Sequence, residues 1–334
     1  MQEPRTTSQQ PAWSLWHEED DPIRLGISSC LLGQEVRFDG GHKHDRYLTD
    51  VLGAWVEWVG VCPEVEIGLG TPRPIIRLER AGDEVRLMQP SSGEDLTDRM
   101  ASWAEARVRE LQSADLDGYV LKRASPSCGM ERVKVWGPGR MPSKSGIGVF
   151  ARVLTERWPL LPVEEEGRLN DAVLRENFIE RVFCRNRWRT TVRRGLTRAR
   201  LVAFHTAHKL LLRAHNEAGY RRCGRIVADA GRGRDEELFA AYEDEFQRTL
   251  ATRSTAARHT NVLYHVLGYL KRALGSSAKQ EIVTVIEDYR RGLIPLIVPI
   301  TLLRHHVLVH DVGYMRGQLY LEPHPKELML RNRV

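Results

Sequence analysis

Apolar residues recur along this chain in two rhythms, and the change between them falls near the middle. Up to about residue 160, short apolar runs bounded by Gly, Pro and Ser alternate with amphipathic stretches. Residues 23–29 (Ile-Arg-Leu-Gly-Ile-Ser-Ser) read as a short strand running into Cys30. Residues 48–58 carry apolar positions spaced for one buried helical face, and 59–61 form a second strand ending at Cys62. In residues 96–112, Met100, Trp103, Ala104, Val108 and Leu111 fall near a 3.6-residue period, with Thr97 or Asp98 placed to start a helix. Residues 118–122 predict a third strand, closing on Ser125-Pro-Ser-Cys128-Gly129, and residues 146–156 another helix. Strands alternating with helices predict an α/β domain with a mostly parallel, Rossmann-like sheet. In such sheets, sites form outside the C-terminal ends of the strands, where all three of these cysteines fall.

Beyond Pro159-Leu-Leu-Pro162 and Glu164-Glu-Glu-Gly167 the rhythm becomes helical. Residues 171–189, 196–217, 235–250, 257–274 and 279–292 each carry an apolar stripe, and 293–303 read as a Pro-punctuated connection into one more helix. The expected organisation is a loosely ordered tail over 1–21, an α/β domain over 22–160 and an all-α domain over 163–334.

Composition narrows the function. The 334 residues are 42 % hydrophobic and 28 % charged, which excludes a wholly disordered chain. No apolar run approaches the roughly 18–20 residues of a spanning helix. The polar start of the chain carries no secretory pattern, so a cytoplasmic setting is expected. The net charge of +6 divides unevenly: residues 1–162 carry −4 and residues 163–334 carry +10. Arg185, Arg187, Arg189, Arg193 and Arg194 belong to a nearly one-signed run around Trp188. Such runs are usually solvated helix faces. Here, in a basic half, the run is read as an RNA-binding face working through phosphate neutralisation.

Five cysteines, an odd number without an export signal, argue against a disulfide framework. Cys184 lies mid-helix beside Val182 and Phe183 and reads as core, whereas Cys223 has no evident role. Cys30, Cys62 and Cys128 sit instead in loops of Gly, Pro and Ser. Three thiols at equivalent strand ends converge in space, which suits a metal. Zinc usually takes four ligands, often in C-x-x-C pairs that are absent here. An iron–sulfur cluster is also held by thiolates.

The motifs Ile27-Ser-Ser-Cys-Leu-Leu-Gly33, Val36-Arg-Phe-Asp-Gly-Gly41, Val61-Cys-Pro-Glu-Val65, Thr71-Pro-Arg-Pro74 and Ser125-Pro-Ser-Cys-Gly129 resemble, in order, the TudS thiouracil desulfidase family over roughly residues 23–160. The second half resembles the YbgA-like helical domain, and the fusion resembles the RudS-type desulfidases of 4-thiouridine in transfer RNA. The resemblance implies a 4Fe–4S cluster on Cys30, Cys62 and Cys128 with one open iron that takes the substrate's sulfur. It also implies that Glu64 and Ser125 stand beside the substrate, Glu64 as general acid–base. Ser127 ranks behind Ser125. Ser29 replaces an Ala found in many relatives, and Glu66-Ile-Gly-Leu-Gly70 replaces a Gly-rich turn, changes that bear on the pocket wall.

Around these motifs, Arg37, Asp39 and Arg73 are candidate contacts to a base or phosphate, Arg73 being held extended between prolines. His42, His44 and Asp45 lie in the same polar loop. The leading expectation is a non-redox, hydrolytic desulfidase acting on thiolated tRNA. Two rivals stand beside it: the same site acting on free thiolated nucleobases with a regulatory helical half, and a non-catalytic cluster- or zinc-bearing nucleic-acid-binding protein.

Overall fold

The computed structural model describes residues 11–17, 20–138, 141–229 and 234–333. The chain divides into two compact units, residues 22–178 and residues 1–21 with 179–334.

In the first unit the chain runs through β1 (Ile23–Ser28), β2 (Val56–Val61), α1 (Pro63–Glu66), β3 (Arg77–Ala81), β4 (Glu84–Gln89) and β5 (Glu94–Asp95). It continues through α2 (Thr97–Ser113), β6 (Gly118–Leu121), β7 (Val133–Trp136), β8 (Ser143–Gly146), α3 (Val149–Arg157) and β9 (Val163–Glu165). Four strands form the expected parallel sheet, in the order β2-β1-β6-β9. β1 is central and buried at all but one of its six positions, as a strand covered on both faces requires. Val61, Tyr119 and Leu121 of the sheet share one core with Ala104, Val108 and Leu111 of α2 and Phe150 and Leu154 of α3. The 3.6-residue spacing of the helices thus meets the strands' apolar runs directly.

Three features differ from the sequence expectation. The helix expected over 48–58 is reduced to irregular turns over Tyr47–Val51 and Leu52–Ala54. The strand takes over at Val56, because the β-branched run Val56, Val59, Val61 pairs in register with Ile23, Gly26 and Ser28 of β1. A second sheet, β5-β4-β3-β7-β8, has no counterpart in that expectation. Its β3–β4 hairpin turns at Gly82-Asp83, with Gly82 at φ +64, and buries Leu78 and Leu87 against Val133 and Val135. The fourth parallel strand, β9, lies in the segment that reads from sequence as a boundary.

The remaining elements are α4 (Ala172–Arg193), inside which the division between the units falls, α5 (Arg198–His215), α6 (Glu217–Ala228), α7 (Asp235–Ala251), α8 (Ala256–Leu270), α9 (Ser276–Arg290), α10 (Ile297–Val309) and the short α11 (Gly313–Arg316). The helix expected to run through to 217 stops at an extended Asn216, whose side chain accepts from the Gly219 N–H and starts α6. Thr197 and Thr255 cap α5 and α8 in the same way. Trp188, Phe204, Tyr242 and Phe246 form an aromatic centre with neighbouring centroids 5.2–6.2 Å apart. The tail is not loose throughout: Ala12–Trp16 form a 3₁₀ turn, and Trp16 packs edge-on to Phe204 at 5.5 Å. Residues 1–10 and 18–19 lie outside the described residues. No helix among the described residues is long and apolar enough to cross a membrane.

Candidate functional site

Because β1 pairs in parallel with β2 on one side and β6 on the other, the ends of these three strands lie side by side. The chain leaves β1 into a 3₁₀ turn holding Cys30, leaves β2 at Cys62 directly before α1, and leaves β6 into the turn that carries Cys128. All three cysteines line one cavity of about 350 Å³. The local folding is explicit at each. The Cys30 carbonyl accepts from the Lys43 N–H at 2.8 Å, which draws the 36–43 loop across the site. The Cys62 carbonyl accepts from the Glu66 N–H, and the Cys62 N–H donates to Glu66 Oε1 at 3.1 Å. Gly148 presses so close beneath the third turn that a Cβ there would stand 2.5 Å from the Ser127 carbonyl and 2.8 Å from the Cys128 nitrogen.

Burial pushes each of these thiols up. Cys30 rises to about 11, with Lys122 opposing the shift, while Cys62 is raised and Cys128 well raised, in each case first by burial. A fixed positive centre is what converts such buried thiols to thiolates. The wall supplies part of that field: Arg37, Lys43, Arg73, Lys122 and Arg123 line the cavity against the single carboxylate of Glu64. Lys122 is paired with Glu166. The places of Lys122 and Lys43 emerge only in the fold, since a lysine at a strand end or in a polar loop carries no local mark in sequence.

Glu64 sits in the first turn of α1 and has both oxygens engaged. Arg73 donates to Oε2 from Nε at 2.9 Å and Nη2 at 2.6 Å, and Ser127 Oγ donates to Oε1 at 2.9 Å. Arg73 also donates from Nη1 to the Val36 and Gly70 carbonyls and from its backbone N–H to the Phe38 carbonyl. Arg73, read from sequence as a base or phosphate contact, lines the cavity with its guanidinium already engaged. Its side chain is 3 % exposed, and it locks Glu64 and the 36–38 loop in place. Ser125 lines the cavity, and its Oγ accepts from the Ser127 and Cys128 N–H groups at 3.2 and 3.1 Å, shaping the turn. The serine in contact with Glu64 is Ser127.

Arg37 lies on the cavity wall, 3.5 Å from Asp39. Asp39, the other candidate contact in this loop, is not among the residues that line the cavity. It closes its own turn by accepting from the Gly41 N–H, which with the Arg37 charge holds its carboxyl low. Asp45 caps the Leu48 N–H, His44 bonds Thr49, and His42 accepts from the His44 N–H.

The arginine run in the helical unit is not one solvent-facing stripe. Arg187 is 2 % exposed and donates to the Cys184 sulfur and the Pro323 carbonyl. Arg189 and Arg193 converge on Asp21, which also accepts from Thr190. The Arg185 side chain is 13 % exposed and lies 4.0 Å from Glu243. Arg193, the last residue of α4, and Arg194 just beyond it are both exposed. The reason is positional: α4 is buried on most sides over its last four turns, so arginines fall inward as well as outward. Cys184 and Cys223 are both fully buried, their thiols raised to about 12 by burial.

Comparison with known proteins bears on each half. Residues 25–166 match the family model described as 2-thiouracil desulfurase, and residues 209–325 that described as protein of unknown function (DUF1722). The chain is similar to the uncharacterized protein YbgA of Escherichia coli, at 31 % identity over 46 % of this chain and 90 % of that protein. It is also similar to the uncharacterized protein YbbK of Bacillus subtilis, at 33 % identity over 43 % of this chain and 97 % of that protein. Among solved structures it is similar to the 4Fe-4S-dependent thiouracil desulfidase TudS, at 34 % identity over 45 % of this chain and 94 % of that one, with a TM-score of 0.36. The chain belongs to the 2-thiouracil desulfurase family through its first half, joined to a YbgA-like domain of the DUF1722 type.

Proposed function

We propose that this protein replaces C=S by C=O in a thiolated uracil, using water and releasing sulfide, with a 4Fe–4S cluster held by Cys30, Cys62 and Cys128. The observation that carries the reading is the meeting of three loop thiols and a positioned carboxylate on one cavity wall. The donor set fits the group: thiolates are the ligands of iron–sulfur clusters, and a cationic wall suits an anionic thiolate-bound core. When bound, a cluster held by only three protein ligands supplies an open, Lewis-acidic iron with an affinity for sulfur.

The chain's own residues do the rest. Glu64 takes a proton from the attacking water and returns one to the departing sulfur. The balance is one water consumed and one hydrogen sulfide released, with no net electron transfer. Arg73 and Ser127 fix the carboxylate's direction before substrate arrives, so little reorganisation remains at the moment of reaction. Ser125 builds the turn that presents Cys128. Arg37 and Lys43 offer positive charge to an anionic substrate at the mouth.

The substrate we favour is 4-thiouridine in tRNA, in a cytoplasmic setting, supported by the +10 charge of residues 163–334 and by the fusion itself. The burial of Arg187 and the pairing of Arg189 and Arg193 favour a second reading, in which free thiolated nucleobases are the substrate and the helical unit is regulatory. Anaerobically reconstituted protein, assayed for sulfide release on 4-thiouridine tRNA and on free thiouracil, separates the two. No release from either substrate would remove both.

A further inference from the structure

Beside the cavity that holds the three thiols lies a larger one, of about 590 Å³, which no step of the reaction uses. The two share Ile75, Ile76, Ala124 and Pro126 as a common partition. We infer that the second cavity is the subsite for the nucleoside adjacent to the thiolated one in a single-stranded stretch of RNA. This rests on the reading that the first cavity takes the thiolated base.

The chemistry of the wall points to a flat ring on an anionic linker. Trp136 lies on one side, with the Arg77 guanidinium 4.8 Å from its ring centroid, and Glu79 fixes that guanidinium at 2.8 Å from Nε. An indole and a guanidinium plane are the surfaces on which unpaired bases stack, in a sequence-tolerant way. Lys134 is exposed on the same wall, and Lys122 and Arg123 stand on the other side of the partition. A phosphodiester crossing from one cavity to the other therefore passes between positive groups. Each cavity alone has the volume of a small-molecule site, so the pair suits two linked units rather than one free base.

The partition explains an otherwise odd residue. Ile75 is 60 % exposed although it lines both cavities, while its neighbour Ile76 is buried. An apolar side chain standing between two base sites acts as a wedge that keeps neighbouring bases unstacked. Ala124, on the facing edge, is held at φ +58, a conformation uncommon for a residue with a Cβ, so this edge is also fixed by a sharp turn.

The test is a binding titration of the anaerobically prepared holoprotein with uridine 5′-monophosphate and with a uridine trinucleotide. The trinucleotide is expected to bind about tenfold or more tightly than the mononucleotide, the scale of one stacked base. Trp136→Ala should lose most of that advantage, and Trp136→Phe, which keeps a flat ring and reports on folding, should retain it. Equal affinities, or an advantage intact in Trp136→Ala, would overturn the inference. Sulfide release from 4-thiouridine tRNA and from free thiouracil is read in parallel. A Trp136-dependent advantage without sulfide release upholds the subsite and removes the desulfidase reading. Sulfide release without an advantage does the opposite.

Discussion

Each unit holds an arginine-bound carboxylate, one of them sealed in a core and the other, with a 13 % exposed side chain, on a cavity wall. In the helical unit, Glu180 is 3 % exposed and bonded to His215 and to Arg331, with His215 in turn bonded to the Thr252 carbonyl. Burial works to raise its carboxyl, but the His215 bond and the charges of His215 and Arg331 outweigh this and hold it low. In the α/β unit, Glu64 is held just as closely by Arg73 and Ser127, but it borders a cavity that also holds three thiols. Each carboxylate has an arginine on one oxygen and a second side chain on the other. What separates them is the neighbourhood: a satisfied network sealed in a core specifies packing, whereas the same network on a cavity wall can point a carboxylate at a ligand.

The two units should differ most at their cysteines. Cys30→Ala, Cys62→Ala and Cys128→Ala are each expected to abolish sulfide release and the visible absorbance of the cluster, while Cys184→Ala, buried beside Arg187, should retain both. Activity assays with absorbance spectra check this. At the carboxylates, Arg331→Ala takes an arginine from the buried Glu180, at a cost of about 3–5 kcal/mol in stability, and Arg73→Ala should cost less because Glu64 is partly exposed. Only Arg73→Ala should also lower kcat of the folded holoenzyme, by about 100-fold, because the carboxylate loses its direction. Denaturant melts and single-turnover assays on both variants separate stability from chemistry.

The helical core has a further signature in acid. Burial lowers His205 to about 4, His259 to about 3 and His324 to about 4, against 6.5 when exposed. The unfolded chain therefore binds more protons than the folded one once pH drops below about 6.5, and stability falls with it. Each buried neutral imidazole costs about 1.4 kcal/mol for every pH unit below its exposed value, so the three together imply a loss of roughly 4–6 kcal/mol between pH 7 and pH 5. Thermal melts followed by helical circular dichroism should show a lower midpoint at pH 5, and an unchanged midpoint would contradict it. The smallest contrast lies at two crowded glycines. Gly148→Ala meets the Ser127–Cys128 backbone, and Gly219→Ala meets the Thr249 side chain at 2.2 Å. Each should cost about 1–3 kcal/mol. Only Gly148→Ala should lower the iron content per chain.

What the sequence disclosed follows from the range of each interaction. The parallel sheet and the grouping of Cys30, Cys62 and Cys128 are legible because strand–loop–helix alternation places strand ends on one edge. The second sheet is not, since its strands are short, one face of each is polar, and Arg77–Ala81 pairs with Val133–Trp136 more than fifty residues away. Only its turn at Gly82-Asp83 leaves a local mark. The roles of Arg73 and Ser127 are hidden because they depend on a carboxylate that reaches them only in the folded unit. The inward pairing of the arginine run is hidden for a related reason: Asp21, the partner of Arg189, lies 168 residues away, in what reads as a loose tail.

Iron and acid-labile sulfide analysis of anaerobically prepared protein, alongside sulfide release from 4-thiouridine tRNA, tests the three-cysteine cluster site most directly. The account predicts about four irons and four inorganic sulfides per chain, both lost together with activity in Cys128→Ala. Zinc in place of iron, or a Cys128→Ala protein that keeps its iron and its turnover, would contradict it.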